Sequence, residues 1–214
     1  MKRSQINNHI EKFIQFCKKH QYKLPDFDYK NPDTIKELKA RQLGFDITDY
    51  GRGEFEKIGL ALFTIRNGNP SESDTIPYCE KTMFCLPDQK TPCHYHKKKT
   101  EDIFVRAGSD SLIKIWPSDR GKIDGEKMTV LFNGSDRREI ISGETLRLNP
   151  GESVTLTPKE AHEFYADESG EGVLLGEVST YNDDENDNFF LSKVSRFPKI
   201  EEDSPIKHML VSDY

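Results

Sequence analysis

The residues most informative about the fold are Thr91-Pro92-Cys93-His94-Tyr95-His96-Lys97-Lys98-Lys99-Thr100-Glu101. Two histidines stand two positions apart, and a carboxylate follows after a short interval. In a β-strand, residues i and i+2 point to the same face, so we expect the two imidazoles to converge, with Glu101 returning to them after a turn. A third histidine, His162, lies in a later β-rich segment. Three imidazoles and one carboxylate suit a first-row divalent metal and leave positions for other ligands.

The sequence around this stretch has the pattern of a β-protein. From about residue 56, turn residues such as Asn133-Gly134 and Asn149-Pro150-Gly151 separate short β-rich runs. The predicted strands are Ile58–Ile65, Lys81–Leu86, Ile103–Val105, Leu112–Trp116, Met128–Phe132, Glu139–Ile141, Thr145–Leu148, Ser153–Leu156, Glu163–Tyr165 and Val173–Val178. Many short strands at this spacing are typical of an all-β sandwich or barrel. We therefore expect a mainly β protein whose barrel covers residues 56–182.

The first 55 residues have a helical pattern instead. Ile6, Ile10, Phe13, Ile14 and Cys17 fall on one stripe after Ser4, a candidate N-cap, and the pattern ends by Pro25. Asn31-Pro32-Asp33 then combines a capping residue, a proline at the first helical position and an acidic residue near the positive helix end. We expect Gly44 to end this second helix. Residues 1–55 are thus predicted to be a helical extension, and residues 183–214 a C-terminal segment on the barrel.

The bulk properties restrict the class of partner. The formal net charge is −6 with interspersed charges, so nothing indicates a nucleic-acid surface. The basic N-terminus lacks the apolar region of a signal peptide, and the longest apolar run, Ile58–Ile65, is too short to span a bilayer. We expect a soluble, cytoplasmic protein. The four cysteines form no C-x-x-C pair, which argues against a structural zinc site.

The histidine stretch resembles the first motif of the cupin superfamily. That motif has the order histidine-x-histidine, glutamate, glycine, and here His94 and His96 are followed by Glu101 and, after six intervening residues, by Gly108. Asp88 replaces the glycine that usually opens the motif. The second motif is looser: Gly151 and His162 keep the usual separation, while Pro158 stands one place late and Lys159-Glu160 replaces the inner glycine. The resemblance implies a small β-barrel or jelly roll.

Most of the chain is also similar to one cupin family, the D-lyxose isomerases. The segments that carry this resemblance are Leu86–Pro92, Glu101–Ile103 and Gly176–Phe189. The helical extension and the length fit the longer members. The resemblance implies a manganese-dependent homodimer that interconverts D-lyxose and D-xylulose, often also D-mannose and D-fructose, with a metal held by His94, His96, Glu101 and His162.

Aldose–ketose isomerisation also requires groups that move protons. A divalent ion can polarise the carbonyl, and a general base must act near the substrate carbons. The candidate bases are Glu177, Asp184 and Asp187. A cation could stabilise a developing enediolate oxygen. The candidates are Lys99, two residues before Glu101, and Lys90, four residues before His94, because alternation along a strand would place each on the same face as the ligand.

Two other functions fit the same residues. A shell of three histidines and one glutamate can also hold Fe(II) and activate O₂, which would make the chain a cupin dioxygenase. A non-catalytic sugar-binding cupin is the alternative from a different class. The ligand types accept several divalent metals, and the residues do not choose between enediol proton transfer and a hydride shift.

Overall fold

The computed structural model describes residues 1–69, 72–73, 75–117, 121–184 and 186–214. Its helices are α1 (Arg3–Lys19), α2 (Pro32–Arg41) and a 3₁₀ helix at Val211–Asp213. Its strands are β1 (Gly44–Thr48), β2 (Leu60–Arg66), β3 (Tyr78–Cys85), β4 (His94–Tyr95), β5 (Glu101–Gly108), β6 (Ser111–Trp116), β7 (Lys127–Phe132), β8 (Asp136–Ile141), β9 (Leu146–Leu148), β10 (Ser153–Leu156), β11 (Ala161–Ala166), β12 (Val173–Thr180) and β13 (Phe189–Phe190). The sequence also predicts a turn at Asn67-Gly68-Asn69-Pro70. Pro70 of this turn and Glu185 of the family-like segment lie outside the described residues.

The strands form two antiparallel sheets. The larger sheet has the order β1-β2-β3-β12-β5-β10-β7-β8, and the smaller has the order β13-β4-β11-β6-β9. Side chains from both sheets meet in one apolar core, which includes Ile103 of β5, Ile113 of β6 and Leu175 of β12. The mainly β, cupin-type barrel predicted from the sequence is therefore confirmed.

The larger sheet is buried on its outer face as well. Ile6, Ile10 and Phe13 of α1 pack there in a second apolar cluster that includes Phe84 and Leu174. Consecutive apolar residues in the central strands thus serve two cores, one inside the barrel and one under α1. This explains why the strands read as apolar runs rather than as a strict alternation.

Both predicted helices are present, but their ends differ from the expectation. Lys2 is the N-cap of α1, so the prediction of Ser4 was wrong: Ser4 lies in the first turn and donates from N and Oγ to Asp203, at 2.8 and 2.7 Å. Asn31 caps α2 as predicted, accepting from Asp33 N at 2.9 Å. The helix ends before Gly44, because Gln42 already adopts the left-handed conformation with φ of 54°.

The two ends of the chain are joined at the surface of the barrel. Arg3 is buried and donates to Glu202 and Asp213 of the C-terminal segment at 2.7 to 3.0 Å. Leu210 is buried in the cluster beneath α1. Strand β1, which the sequence did not predict, extends the large sheet within residues 1–55. The three-part division of the chain stays a prediction. Among the described helices, none has the length and apolarity to cross a membrane.

Candidate active site

Three buried histidines converge inside the barrel. One ring nitrogen of each of His94, His96 and His162 lies within 4.8 Å of the others, an arrangement that could hold a metal ion. Strand pairing brings two of them together, because His94 of β4 stands directly opposite His162 of β11. His96 follows β4 on the same side. The convergence of the i, i+2 pair with His162 agrees with the sequence prediction.

Backbone carbonyls fix the tautomer of each ring. His94 Nδ1 lies 2.9 Å from Pro92 O, His162 Nδ1 lies 3.2 Å from Glu160 O, and His96 Nδ1 makes a short contact with Asp187 O. A carbonyl oxygen only accepts, so Nδ1 must carry the hydrogen. In this tautomer each ring presents the lone pair of Nε2, as metal-binding histidines do.

The neutral state of His94 is favoured by its surroundings. Burial, followed by the neighbouring His162 and His96, holds the pKa of His94 well below its usual value. A ring that stays neutral keeps its Nε2 lone pair for a ligand.

Glu101 completes the cluster from the opposite sheet. Its Oε1 lies 3.2 Å from His162 Nε2 and 3.5 Å from His96 Nε2, yet these three buried atoms have no hydrogen-bond partner. Burial opposes ionisation, but Lys99 and His96 hold the pKa of Glu101 well below its usual range. Three unpaired acceptor atoms that face one another are costly unless a cation lies between them. The residues present therefore fit a divalent metal.

A row of alternating charges continues from Glu101 along the large sheet. Lys99 Nζ lies 2.7 Å from Glu101 Oε2 and 2.9 Å from Glu177 Oε1. Lys81 Nζ lies 3.4 Å from the same Glu177 oxygen and 2.7 Å from Asn182 Oδ1. All of these side chains are buried. The row therefore forms one wall of the cavity that contains the histidines.

Strand register explains why Glu177 faces this cavity. In β12 it stands opposite Lys81 of β3, and Ser179 stands opposite Glu101 of β5. Glu177 and Ser179 are buried, whereas Val178 between them is exposed. Burial opposes ionisation of Glu177, but Lys81 and Lys99 lower its pKa below the usual value. Glu177 is thus an ionised carboxylate inside the barrel.

The two oxygens of Glu177 have different surroundings. Lys99 and Ser179 donate to Oε1, at 2.9 and 3.2 Å, and Lys81 also approaches that atom. Oε2 makes no hydrogen bond to any residue in the described ranges. One oxygen is therefore held in position while the other is available to a ligand.

Asp184 lies in the same cavity, at the far end of the charged row. Its Oδ1 is 3.9 Å from Lys81 Nζ, and its Oδ2 accepts from Arg196 Nη2 at 2.7 Å. The same Arg196 nitrogen donates to Asp46 Oδ2 at 2.6 Å. Burial would raise the pKa of Asp184, but Lys81 and Arg196 hold it well below its usual range.

Asp187 is held outside the cavity by its hydrogen bonds. Its carboxylate accepts from the backbone N–H groups of Lys97, Lys98 and Lys99, at 2.8 to 3.2 Å. This carboxylate stabilises the turn that positions Lys99, and it does not face the histidines. Lys99 thus reaches the site from a turn, not from a strand as the sequence suggested. The role of Asp187 as a base stays a prediction, and these hydrogen bonds do not favour it, because its oxygens serve the turn.

Lys90 does not join the cluster either. Its side chain is 55% exposed, lies 3.4 Å from Asp88 and sits over the ring of Tyr165. The expectation assumed strand alternation up to His94, but Asp88 adopts a left-handed conformation with φ of 53°. The segment before β4 is therefore not a continuous strand, and side chains in it do not alternate between two faces up to His94.

Several cavity residues were not identified from the sequence. Lys81 lies in a predicted strand, but nothing in its neighbours sets it apart from other lysines. Tyr50 and Arg196 lie in segments without a motif, and they reach the cavity through the fold. Asn182 lies in the family-like segment Gly176–Phe189, but nothing there set it apart as a partner of Lys81. The alternation of Lys81 with buried Met83 and Cys85 is the one signal that could have placed it inside.

Fold and site together define a cupin-type barrel with a histidine–glutamate centre, and comparisons with known proteins identify the family. The family model described as D-lyxose isomerase matches residues 1–214. The chain is 38% identical to the D-lyxose/D-mannose isomerase of Serratia proteamaculans, over 100% of this chain and 98% of the relative. It is 30% identical to the D-lyxose ketol-isomerase of Cohnella laeviribosi, over 74% of this chain and 82% of that protein. The chain therefore belongs to the D-lyxose isomerase family.

A solved structure supports the fold independently. The L-ribose isomerase of Cellulomonas parahominis superimposes with a TM-score of 0.64, covering 94% of this chain and 98% of its own, at 16% identity. At this identity the likeness shows the fold. The resemblance predicted from the sequence and the enzyme class that it implied, sugar isomerisation, are both confirmed by the family match.

Proposed function

We propose that the chain interconverts D-lyxose and D-xylulose, and D-mannose and D-fructose, as a metal-dependent aldose–ketose isomerase. The names of its relatives, D-lyxose/D-mannose isomerase and D-lyxose ketol-isomerase, support this choice of sugars. The observation that carries the proposal is the placement of Glu177, with one oxygen unpaired, beside the histidine–glutamate centre. Such a pairing of metal site and base is what proton transfer between C1 and C2 through an enediol requires.

In this proposal His94, His96, Glu101 and His162 hold the divalent metal, Mn²⁺ in the first instance. The unpaired buried atoms His96 Nε2, His162 Nε2 and Glu101 Oε1 support this ligand set. A bound divalent ion supplies Lewis-acid polarisation of the sugar carbonyl and holds the adjacent hydroxyl.

Glu177 is the proposed general base. Its Oε2 would take the proton from one of the two reacting carbons and return it to the other, while Lys99 and Lys81 keep the carboxylate ionised and oriented through Oε1. Lys99 also lies against Glu101, so its ammonium is suited to stabilise a developing enediolate oxygen. Asp184 is a weaker candidate for the base, because Arg196 occupies its Oδ2.

The test of this function is ketose formation from D-lyxose and from D-mannose by the purified, Mn²⁺-loaded protein. Appearance of D-xylulose and D-fructose is the expected result. Oxygen consumption without isomerisation would support the Fe(II) dioxygenase instead, and tight sugar binding without turnover would support a non-catalytic sugar-binding cupin.

We also propose a cytoplasmic homodimer, on the strength of the family resemblance. Light scattering should then give twice the 24.7 kDa of the chain. A mass of one chain at micromolar concentration would contradict the dimer without affecting the proposed chemistry.

A further inference from the structure

Arg196 lines the active-site cavity and has one hydrogen-bond donor without a partner among the described residues. Its Nη2 donates to Asp46 and Asp184, at 2.6 and 2.7 Å, and its side chain is only 11% exposed. Its Nη1 is buried and has no hydrogen-bond partner in the part of the chain that the structure describes. Arg196 nevertheless lines the cavity that holds the histidines and Glu177.

A buried donor without an acceptor is unfavourable, because it has lost its hydrogen bonds to water. A guanidinium held by two carboxylates cannot turn away without breaking both ion pairs. The unpaired Nη1 is therefore fixed in the free protein, and a ligand oxygen that reaches it would restore the missing hydrogen bond.

The position of Arg196 along the charged row indicates which part of a ligand it meets. Glu101 contacts Lys99, Lys99 contacts Glu177, Lys81 lies between Glu177 and Asp184, and Asp184 contacts Arg196. The histidines and Arg196 thus stand at opposite ends of the row. A sugar whose reacting carbons lie between the histidines and Glu177 would extend its other carbons toward Arg196.

We propose that Arg196 binds the substrate by donating from Nη1 to a hydroxyl oxygen on the C4–C5 end of the sugar. This inference rests on the proposed isomerase function. It assigns Arg196 as a substrate-binding residue and gives the C-terminal segment a direct part in recognition.

The charge around Arg196 favours a neutral acceptor. Asp46 and Asp184 both contact its guanidinium, so its single positive charge is already offset. Phosphate would bring further negative charge beside these two carboxylates, and like charges at this distance repel. The C4–C5 end is therefore expected to carry free hydroxyls and no phosphate.

Two variants test this assignment with D-lyxose as substrate and Mn²⁺ present. Arg196→Lys keeps a positive charge between Asp46 and Asp184 but loses Nη1. Arg3→Lys is the matched control, because Arg3 is also a buried arginine that contacts two carboxylates, Glu202 and Asp213, but does not line this cavity.

For Arg196→Lys we expect KM to rise about 10- to 100-fold, with a smaller change in kcat, as for one lost hydrogen bond to a charged donor. Arg3→Lys should keep the wild-type KM and kcat. Equal KM values in wild type and Arg196→Lys, or the same change in both variants, would overturn the proposal.

Deoxysugars test the contact in the unmodified protein, which removes any dependence on how the variant folds. Of 4-deoxy- and 5-deoxy-D-lyxose, one should show a KM raised about 10- to 100-fold in the wild type and little further loss in Arg196→Lys. If the wild type has the same KM for both deoxysugars as for D-lyxose, the role of Arg196 is contradicted while the isomerase function still stands. Wild-type protein that forms no ketose from D-lyxose would instead contradict the isomerase function.

Discussion

At the scale of single residues, the site depends on atoms whose partners are fixed by the backbone. Three carbonyl oxygens hold the Nδ1 hydrogens of the histidines. The Nε2 atoms of His96 and His162 then face Glu101 Oε1 as acceptors. The side chains therefore reach their positions before any ligand is bound. Such preorganisation lowers the cost of binding a cation and of holding a substrate beside it.

Replacing Glu177 by glutamine tests the general base. Glu177→Gln keeps the size of the side chain but removes its capacity to accept a proton, so kcat should fall at least about 100-fold while metal content is retained. Steady-state kinetics and metal analysis provide the measurement. Glu80→Gln is the control on the neighbouring strand, because Glu80 pairs with Arg66 and Arg106 away from the cavity. Unchanged kcat in Glu177→Gln would move the base to Asp184.

Replacing Asp187 by alanine tests the turn that carries Lys99. Three backbone N–H groups lose their acceptor, so we expect lower activity and a loss of roughly 1–3 kcal/mol in the free energy of unfolding. Asp183→Ala is the matched control, since the Asp183 carboxylate accepts from Asn186 at the surface and, among the described residues, not from the turn that carries Lys99. Kinetics and urea unfolding measure the two effects. If both variants behave like the wild type, Asp187 does not position Lys99.

At the scale of elements, pairing between the sheets joins residues that are remote in sequence. β4 and β11 bring His94 to His162, while β5, β12 and β3 bring Glu101, Glu177 and Lys81 side by side. The C-terminal segment closes the arrangement through β13, which pairs with β4. Helix α1 supports the large sheet from outside and also holds this segment through Arg3.

Arg3→Met tests how far the C-terminal segment depends on that contact. Without the buried guanidinium, Glu202 and Asp213 lose their partner, so the free energy of unfolding should fall by roughly 1–3 kcal/mol. Asp213 should account for most of this loss, because it is largely buried. Urea unfolding provides the measurement. Lys12→Met, which removes an exposed ion pair of the same helix, should change stability much less. Equal effects in the two variants would show that Arg3 contributes no more than a surface pair.

The elements that could be predicted from the sequence are those with a regular apolar pattern. The stripe on α1, the cap of α2 and most long strands were expected close to their observed positions. Strand β13 was not expected, because two residues are too few to show a period. Strand β1 was not expected, because it follows α2 within residues 1–55, which the sequence pattern indicated to be helical. The metal-ligand candidates were found through their i, i+2 spacing. Lys90 was misplaced because a left-handed residue at Asp88 interrupts the alternation.

At the scale of the whole molecule, the site is a product of topology. Arg196 and Lys81 have no local motif, and their place in the cavity follows only from the order of the strands and the path of the C-terminal segment. A sequence pattern reports neighbours along the chain, so residues that meet by way of two sheets and a tail leave no such signal. The family resemblance indicated the segment that contains Glu177 and Asp184, but neither Lys81 nor Arg196.

The stability of the whole fold should fall in mild acid, in part through His9. This ring is buried against Phe55, near Lys12 and Glu56, and burial lowers its pKa from 6.5 to about 4. Between these values the unfolded chain binds a proton that the folded chain does not, so stability is lost as the pH falls through this range. Unfolding of wild type and His9→Gln by urea at pH 7 and pH 5 measures this contribution. The wild type should lose more stability than the variant, and equal losses would contradict the assignment.

The most direct test of the account is isomerisation of D-lyxose by EDTA-treated protein before and after addition of Mn²⁺, in wild type and His96→Ala. We expect the treated wild type to be inactive and to regain D-xylulose formation as one Mn²⁺ binds per chain, with no recovery in His96→Ala. Metal-free wild-type protein that isomerises D-lyxose at the full rate, or full recovery in the variant, would contradict the claim that the histidine–glutamate centre is the catalytic metal site.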